Sequence, residues 1–286
     1  SHLIFLRRSR QIIRNIKPNT VISFEYFYNM CAVLICLGLN VKLLISERND
    51  PARVGSGFIK SRIRNILYSF ADVLICQTDD AKNYFPDYIR KKVFIILNPI
   101  MSGLPSKQEK VRDKVIVNFC RLNKQKNIPL LISAFEEFCN IHPDYELHIY
   151  GDGAEKETIL DIIYSKHLER IIKVFPNTPN VHELVINAAM FVSTSDFEGL
   201  SNSMLEALSM GLPTICTDCP CGGARMVIED GVNGFLIPVN NQKSLVDKML
   251  LIAGSSELTI KLSNNALKIN NKLNVDNICK QWISLL

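Results

Sequence analysis

Hydrophobic positions along the chain fall into short apolar runs separated by stretches with apolar residues at helical spacing. Before residue 98, four runs predict strands, and the stretches around them predict helices. The predicted strands are Thr20–Phe24, Val41–Ser46, Val73–Gln77 and Val93–Leu97, and the predicted helices are Leu3–Ile16, Phe27–Leu37, Phe58–Phe70 and Asp80–Phe85. This alternation indicates a parallel sheet that is covered by helices on both faces.

The segment Asn98–Lys114 interrupts the alternation, because it is rich in Pro, Gly, Ser and charged residues, as interdomain linkers are. A second α/β unit follows. Its predicted strands are Val115–Phe119, Tyr145–Tyr150, Ile171–Phe175, Met190–Ser193, Pro213–Thr217 and Phe235–Pro238, and its helices include Pro129–Asn140, Val181–Asn187 and Ser201–Met210. We predict an α/β protein with two Rossmann-like domains, residues 1–104 and 105–270, and a C-terminal helix in residues 271–286 that returns to the first domain.

The first predicted domain lacks a feature that doubly wound sheets usually have. Such a sheet opens with a strand that leads into a Gly-rich loop. The strand Thr20–Phe24 has no such loop, and no strand precedes the helix before it. We therefore expect the first domain to be truncated by one or more strand–helix units at its N-terminus.

Charge is distributed unevenly over a chain whose composition is that of an ordinary globular protein, with 47% hydrophobic residues and a net charge of +5. Residues 1–110 hold 17 Lys or Arg and 8 Asp or Glu. This excess predicts an anionic partner for the first half, such as membrane phospholipid, a lipid-linked diphosphate or nucleic acid. Nucleic acid is disfavoured, because neither aromatic platforms nor a reading helix is visible. The alternative is that the basic helices are solvated faces of core helices.

The positions of the cysteines and the hydropathy of the chain indicate the cellular compartment of the protein. The nine cysteines are scattered, mostly in apolar runs, which is typical of buried thiols in a reducing compartment. No apolar run reaches the roughly 18–20 residues needed to span a bilayer. We expect a cytoplasmic protein with peripheral contact at the inner face of the plasma membrane. Cys216, Cys219 and Cys221 lack a suitably spaced fourth ligand, so no metal and no cofactor is predicted.

The chemistry is concentrated in one segment, FVSTSDFEGLSNSMLEALSMGLPTICTD at residues 191–218. A strand ends at Ser193, a loop carries Glu198 and Gly199, and a helix with good N-cap residues begins near Ser201 and carries Glu206. A helix N-terminus at the carboxyl end of a parallel strand binds phosphate. The two carboxylates flank it and could accept hydrogen bonds from sugar hydroxyls, one from a hexose and the other from a ribose. The alternative is an ordinary capped helix with surface glutamates.

This segment resembles a known signature. Glu198 and Glu206 form E-x7-E, and FEGLSNSMLEALSMGLPTI is similar to the donor site of family 4 GT-B glycosyltransferases, which are retaining enzymes. The resemblance implies that Glu198 contacts the donor sugar and acts as a catalytic residue, and that Glu206 contacts the ribose. The diphosphate would be bound by backbone amides of Gly199, Leu200, Ser201, Asn202 and Ser203.

Two further segments match the same family in the same order. NFCRLNKQKN at 118–127 resembles G-R-L-x-x-x-K-N, which implies that Arg121 and Lys126 are catalytic cations that neutralise the donor phosphates, with Cys120 where the family usually has Gly. IYGDG at 149–153 resembles the next strand and its Gly-rich loop, so Gly151 is implied in donor binding, and Pro176 lies in the loop that usually meets the base. Taken alone, Arg121 or Lys126 would be a solvated surface residue.

The resemblance implies transfer of a hexose or N-acetylhexosamine from a nucleotide sugar, without a metal ion, and we favour UDP over GDP. SERNDP at 46–51 is similar to enzymes that build bacterial surface polysaccharides and lipid-linked oligosaccharides, which predicts a saccharide or polyprenyl-linked acceptor. Glu47, Arg48 and Asn49 are candidates for the acceptor side. The alternative is a structural ion pair between Arg48 and Asp50.

Three other functions are compatible with parts of the pattern. A nucleotide-sugar epimerase of the same fold would share the donor site, and a non-catalytic nucleotide-sugar-binding fragment would keep binding without transfer. A glycoside hydrolase could use Glu198 and Glu206 as its carboxylate pair. The phosphate-binding features argue against the hydrolase, since it does not need them.

Overall fold

The structure is a computed structural model that describes residues 2–106 and 111–286. The chain forms two compact units. The first contains the residues up to Asn98 together with Pro220–Gly222 and Asp276–Leu286, and the second contains Pro99–Cys219 and Gly223–Val275. The first unit therefore ends earlier than the boundary that we placed at residue 104, and the second extends beyond residue 270. One reason is that the Ile100 amide donates to the Leu273 carbonyl (2.8 Å), which holds the start of the second unit against its end.

The first unit contains four parallel strands in the spatial order β1-β2-β3-β4. The strands are β1 Thr20–Phe24, β2 Lys42–Ser46, β3 Val73–Cys76 and β4 Val93–Ile95, and the helices are α1 His2–Ile16, α2 Tyr26–Cys36, α3 Phe58–Tyr68, α4 Asp79–Tyr84 and α5 Asp87–Arg90. The central strands β2 and β3 are apolar and almost wholly buried, as expected for a parallel sheet with both faces covered. Aliphatic side chains of these strands form the core against α2.

The second unit contains six parallel strands in the order β10-β9-β8-β5-β6-β7. The strands are β5 Asp113–Phe119, β6 Glu146–Tyr150, β7 Ile172–Phe175, β8 Ala188–Ser193, β9 Thr214–Thr217 and β10 Phe235–Ile237. The helices are α6 Ile128–Cys139, α7 Lys156–Ser165, α8 Val181–Val185, α9 Asn202–Ser209, α10 Gln242–Gly254, α11 Ser256–Ala266 and α12 Ile269–Lys272. The last helix, α13 Val275–Ile283, belongs to the first unit from Asp276 onward.

The strand order of the second unit fixes where a ligand can bind. The chain runs outward from β5 through β6 to β7, and then from β8 through β9 to β10 on the other side. The order reverses between β5 and β8, which are paired in the middle of the sheet. In open α/β sheets, ligands bind beyond the carboxyl ends of the strands at such a switch point. Here those ends are Phe119 and Ser193.

Two predicted boundaries in this unit are wrong. The predicted linker runs to Lys114, but Asp113 already pairs with Ala188 in the sheet, and the predicted helix to Asn187 ends at Val185. The cause is Arg112, whose guanidinium donates to the carbonyls of Ala188 (2.9 Å) and Gly211 (2.6 Å) and to Ser263 Oγ (3.0 Å). Burial lowers the pKa of Arg112 to about 10. Residues 107–110 of the predicted linker lie outside the described residues.

Candidate functional site

The loops that follow β5 and β8 are joined to each other at the switch point. Thr194 Oγ1 donates to the carbonyls of Lys126 and Asn127, both at 3.0 Å. The Asp196 amide donates to the Gln125 carbonyl (2.9 Å), and Asn127 Nδ2 donates to Asp196 Oδ1 (2.8 Å). Asn127 adopts a left-handed conformation with φ of +46°, which Asn tolerates better than most residues. These bonds hold both loops in one arrangement at the edge of the sheet.

Glu198 and Lys126, which the sequence analysis assigned as catalytic, meet in this arrangement. Their side chains form an ion pair and are 15% and 13% exposed, respectively. The second carboxylate oxygen of Glu198 accepts a hydrogen bond from Gln125 Nε2, which also donates to the Phe197 carbonyl (2.8 Å). The carboxylate is therefore held from two sides, and the Lys126 ammonium lies next to the proposed sugar-binding group. Gln125 was not predicted, because nothing in the local pattern distinguishes it from Lys124.

Arg121, the third predicted catalytic residue, is not part of this cluster. Its side chain is exposed, and within residues 2–106 and 111–286 it makes no ion pair and no side-chain hydrogen bond. The guanidinium is thus available to a ligand, and no side chain of the described residues orients it.

Helix α9 begins as the sequence predicts. Ser201 is the N-cap, and its Oγ accepts from the Met204 amide at 3.5 Å. The Ser201 and Ser203 hydroxyls lie 3.1 Å apart. Asn202 is exposed, whereas Leu200 is buried, so Leu200 can reach a ligand only through its backbone. The first turn carries backbone N–H groups and the positive end of the helix dipole, which together favour an anion.

The loop before α9 is packed closely against the segment near Gly223. A Cβ atom built on Gly223 would lie 1.7 Å from the Gly199 carbonyl oxygen, so no side chain fits there. A pocket beside this contact is lined by Glu198, Gly199 and Ser201, together with Ser193, Ser195, Met204, Cys216, Thr217, Cys219 and Ala224. The proposed diphosphate loop is thus shaped by a backbone contact that only glycine at 223 allows.

Glu206 has a partner that the sequence analysis missed. His182 Nε2 lies 3.0 Å from Glu206 Oε2, and the side chains are 12% and 21% exposed, respectively. The His182 ring contacts Phe119 edge to face, with the ring centroids 5.9 Å apart. The available signal was positional, since His182 follows β7 at the edge where β5 and β8 also end.

Gly151 and Pro176 lie in the loops that follow β6 and β7. A Cβ atom on Gly151 would lie 2.0 Å from the Cys120 carbonyl oxygen, so this glycine permits a close backbone approach. Asp152 joins the two loops, because its carboxylate accepts from Lys156 Nζ and from the Asn177 amide, both at 2.8 Å, and these bonds lower its pKa. Pro176 is exposed beside this bond.

In the first unit, Glu47 is an internal group. It is 2% exposed, and its carboxylate accepts a hydrogen bond from the Tyr68 hydroxyl. Asn29 Nδ2 donates to the neighbouring Ser46 carbonyl (2.9 Å) and to the Tyr68 hydroxyl (3.4 Å). Burial raises the pKa of Glu47, although the Tyr68 bond and the charge of Arg64 oppose the shift. Among the proposed acceptor-side residues, Glu47 is therefore the least accessible.

Arg48 lies against two aromatic rings that also contact each other. Its guanidinium carbon is 4.9 Å from the Phe24 ring centroid and 5.6 Å from that of Trp282, and Nη1 donates to Asn98 Oδ1 (2.6 Å). Burial lowers the pKa of Arg48. The alternative of an ion pair with Asp50 is not found among the described residues.

Asp50 instead caps a turn. Its Oδ1 accepts from the Ala52 amide (2.9 Å), and Asn49 Oδ1 accepts from the Asp50 amide (2.8 Å). Asn49 is half-buried, and its side-chain oxygen is used within the same turn.

The cysteine-rich loop and the helices bear on metal binding and on membrane insertion. The described residues contain no group of three or more His, Cys, Asp or Glu side chains in a metal-binding arrangement. Burial raises the pKa of Cys120 to about 12 and that of Cys221 to about 11, and it raises the pKa of Cys216 as well. Within the part of the chain that the structure describes, no helix is both long and apolar enough to cross a bilayer.

Comparisons with known proteins find glycosyltransferases among the relatives of this chain. An uncharacterised glycosyltransferase of Haemophilus influenzae is 21% identical over 281 residues, which are 98% of this chain and 79% of the relative. A poly(ribitol-phosphate) alpha-N-acetylglucosaminyltransferase of Staphylococcus aureus is 30% identical over 60% of this chain and 35% of its own length. A Campylobacter jejuni alpha-N-acetylgalactosaminyltransferase, whose name specifies a diphospho-undecaprenol-linked substrate, is 26% identical over 90% of this chain and 73% of its own length.

Solved structures share the fold. S. aureus TarM superimposes with a TM-score of 0.84 at 22% identity over 98% of this chain, which spans 58% of the length of TarM. Anabaena Alr3699/HepE in complex with UDP-glucose gives 0.88 at 18% identity, over 98% of this chain and 82% of that protein. These neighbours and the two parallel sheets confirm the predicted GT-B class. The model of the family described as glycosyl transferases group 1 matches residues 104–269, more than half of the chain, and the protein belongs to that family.

Proposed function

We propose that this protein is a glycosyltransferase that moves a hexose or N-acetylhexosamine from a nucleoside diphosphate sugar to a saccharide or lipid-linked saccharide. The observation that carries the proposal is the Lys126–Glu198 ion pair beside the N-terminus of α9 at the switch point. A carboxylate for sugar hydroxyls, a cation and a helix N-terminus are groups that can bind a sugar diphosphate.

The proposed reaction uses these groups in separate roles. The acceptor hydroxyl oxygen forms a new bond to the anomeric carbon while the bond to the diphosphate oxygen breaks. Negative charge develops on the leaving diphosphate, and its departing oxygen or solvent takes the proton of the acceptor hydroxyl. Lys126 and the N–H groups at the start of α9 would stabilise that charge, and Arg121 is available for the same purpose. Glu198 would hold the sugar, and Glu206 the ribose. We propose retention of anomeric configuration and no metal ion, as the E-x7-E resemblance implies.

UDP is the proposed nucleotide. TarM and the pneumococcal O-GlcNAc transferase GtfA have been solved with UDP, and Alr3699/HepE with UDP-glucose, which supports UDP for this chain. Pro176 and Asn177 form the loop proposed to meet the base. Because Asp152 fixes that loop, the base site is expected to be formed before the nucleotide binds.

A lipid-linked or polymeric acceptor is supported by relatives whose names specify undecaprenyl diphosphate or polyol phosphate substrates. We propose that the first unit contacts an anionic membrane surface, at the inner face of the plasma membrane. Helix α3 supports this, because it is inverted: its polar side is buried and its apolar side is exposed. Arg64 and Tyr68 are fully buried, whereas Ile59, Ile63 and Ile66 on the opposite face are 71%, 50% and 58% exposed. Such an apolar face with cations beside it is typical of helices that lie in a membrane interface.

The direct test is a transfer assay with UDP-linked hexoses and N-acetylhexosamines and with undecaprenyl diphosphate-linked saccharides as acceptors. The proposal predicts a glycosylated product with the anomeric configuration of the donor, by NMR. Glu198→Ala should reduce the rate at least about 100-fold, since removing one group that acts in the transition state typically does so. Glu257→Ala, an exposed carboxylate on α11, is the control and should leave the rate unchanged. Epimerised free sugar nucleotide without acceptor product would instead indicate an epimerase.

A further inference from the structure

The carboxylate proposed to bind the ribose is already held by another side chain. Glu206 lies in α9, and its Oε2 atom is 3.0 Å from His182 Nε2 on α8. An ionised carboxylate only accepts hydrogen bonds, so His182 is the donor and carries its proton on Nε2. Both side chains are largely buried, which favours a well-defined geometry for the pair.

The histidine is fixed from a second direction. Its ring packs edge to face against Phe119, the last residue of β5, which is itself buried. His182 follows the loop of Pro176 and Asn177, the loop proposed to meet the base. The bond to Glu206 therefore connects the helix after the base loop with the helix whose N-terminus is proposed to bind the diphosphate.

We propose that His182 is a positioning residue that orients Glu206 to accept hydrogen bonds from the ribose hydroxyls. This inference rests on the proposed function, because it requires a nucleotide in the switch-point site. Within the described residues, Oε1 of Glu206 makes no side-chain hydrogen bond and is free to accept one. A carboxylate that is already fixed loses less conformational freedom when the nucleotide binds, so the site gains affinity for ribose hydroxyls without a direct contact from His182.

The test compares UDP with 2′,3′-dideoxyuridine diphosphate by calorimetry, because this pair isolates the contribution of the ribose hydroxyls. His182→Phe keeps a ring against Phe119 but removes the donor. His182→Gln keeps an N–H donor close to the position of Nε2. Glu206→Ala removes the acceptor. It therefore gives the ratio of the two affinities that is expected when the ribose hydroxyls have lost this carboxylate. Melting temperatures of all variants separate binding effects from unfolding.

The native chain should bind UDP at least about 10-fold more tightly than the dideoxy compound, as expected for hydrogen bonds to a charged group. In His182→Phe this ratio should fall at least about 3-fold towards the Glu206→Ala value, while affinity for the dideoxy compound stays close to native. His182→Gln should restore most of the ratio. Because a purely structural role would weaken both ligands equally, the ratio is the informative quantity.

Two results would overturn the inference, and they differ from failure of the proposed function. If Glu206→Ala lowers the ratio but His182→Phe leaves it unchanged, His182 does not position the carboxylate, and the donor site stands. Equal losses for both ligands in His182→Phe would likewise reduce His182 to a packing role. If Glu206→Ala itself leaves the ratio unchanged, or if no nucleoside diphosphate binds, the proposed ribose site is wrong, and the inference falls with it.

Discussion

Lys126 and Glu198 are 72 residues apart in the sequence and form an ion pair at the switch point of the second sheet. The pair exists because β5 and β8 are neighbours, so the loops that leave their carboxyl ends meet. It puts the cation proposed for the diphosphate next to the carboxylate proposed for the sugar. The two roles are therefore coupled, and each side chain restricts the position of the other.

Replacing Lys126 tests this coupling. Lys126→Met should reduce kcat about 100-fold, because the leaving diphosphate loses a cation at the point where its charge develops. The affinity for the donor should change much less. Lys124→Met, an exposed lysine in the same turn, is the matched control and should keep both constants. Steady-state kinetics with varied donor concentration distinguish the two effects, and equal losses in both variants would exclude a specific role for Lys126.

The close approach of Gly223 to the Gly199 carbonyl gives a prediction about the donor loop. Gly223→Ala should destabilise the chain by about 1–3 kcal/mol through overpacking, and it should weaken nucleotide binding because the loop before α9 must move. Gly254→Ala, at the end of α10 with no atom within 4 Å of the new Cβ, should leave binding intact and the stability unchanged or slightly higher. Urea unfolding and calorimetry measure both quantities. Native-like binding by Gly223→Ala would show that the loop does not depend on this contact.

Much of this arrangement could be predicted from local pattern. The alternation of strands and helices, the N-cap at Ser201 and the Gly-rich loop at Gly151 all depend on neighbours in the sequence, and the structure shows them where they were expected. The His182–Glu206 contact depends on which helices lie side by side. No spacing rule indicates that, and the histidine was not assigned a role.

Long-range packing also explains the other differences. Arg112 was read as part of a charged linker, but it is half-buried because three groups distant in sequence surround its guanidinium. Arg48 was weighed as a partner of Asp50, but two aromatic rings from opposite ends of the chain contact it. In both cases the partners of the arginine are distant from it in the sequence, so the local pattern could not predict them.

The inverted helix α3 predicts membrane binding. The native chain should float with vesicles of phosphatidylcholine and phosphatidylglycerol, and less so with phosphatidylcholine alone. Ile59→Asp combined with Ile63→Asp should weaken binding at least about 10-fold, since two apolar side chains no longer insert. The control, Leu251→Asp on α10, replaces a side chain that is 49% exposed in the second unit. If the double variant floats as well as the native chain, α3 is not the contact surface. A change in oligomeric state instead would indicate that another protein surface covers it.

Burial of Glu47 gives a pH dependence of stability. Because burial raises its pKa above the ordinary value of 4.5, the folded chain binds the proton more tightly than the unfolded chain. The contribution of this group to the free energy of unfolding therefore falls as the pH rises from about 4.5 through the raised pKa. Glu47→Gln, which keeps a side-chain oxygen for Tyr68, should flatten this decline, and Glu257→Gln, at an exposed site on α11, should not. Urea unfolding at several pH values measures the free energy of unfolding. If this free energy varies with pH in the same way in the native chain and in Glu47→Gln, the assignment is contradicted.

The central claim is that the switch-point edge of the second unit binds a nucleoside diphosphate sugar. Calorimetric titration with UDP, GDP, ADP and their sugar conjugates, in the native chain and in Glu206→Ala, tests it most directly. The account predicts selective binding of one nucleotide, UDP, and an affinity at least about 10-fold lower in the variant, since a carboxylate that accepts ribose hydroxyls is lost. Binding to none of the three nucleotides, or binding that Glu206→Ala leaves unchanged, would contradict the account.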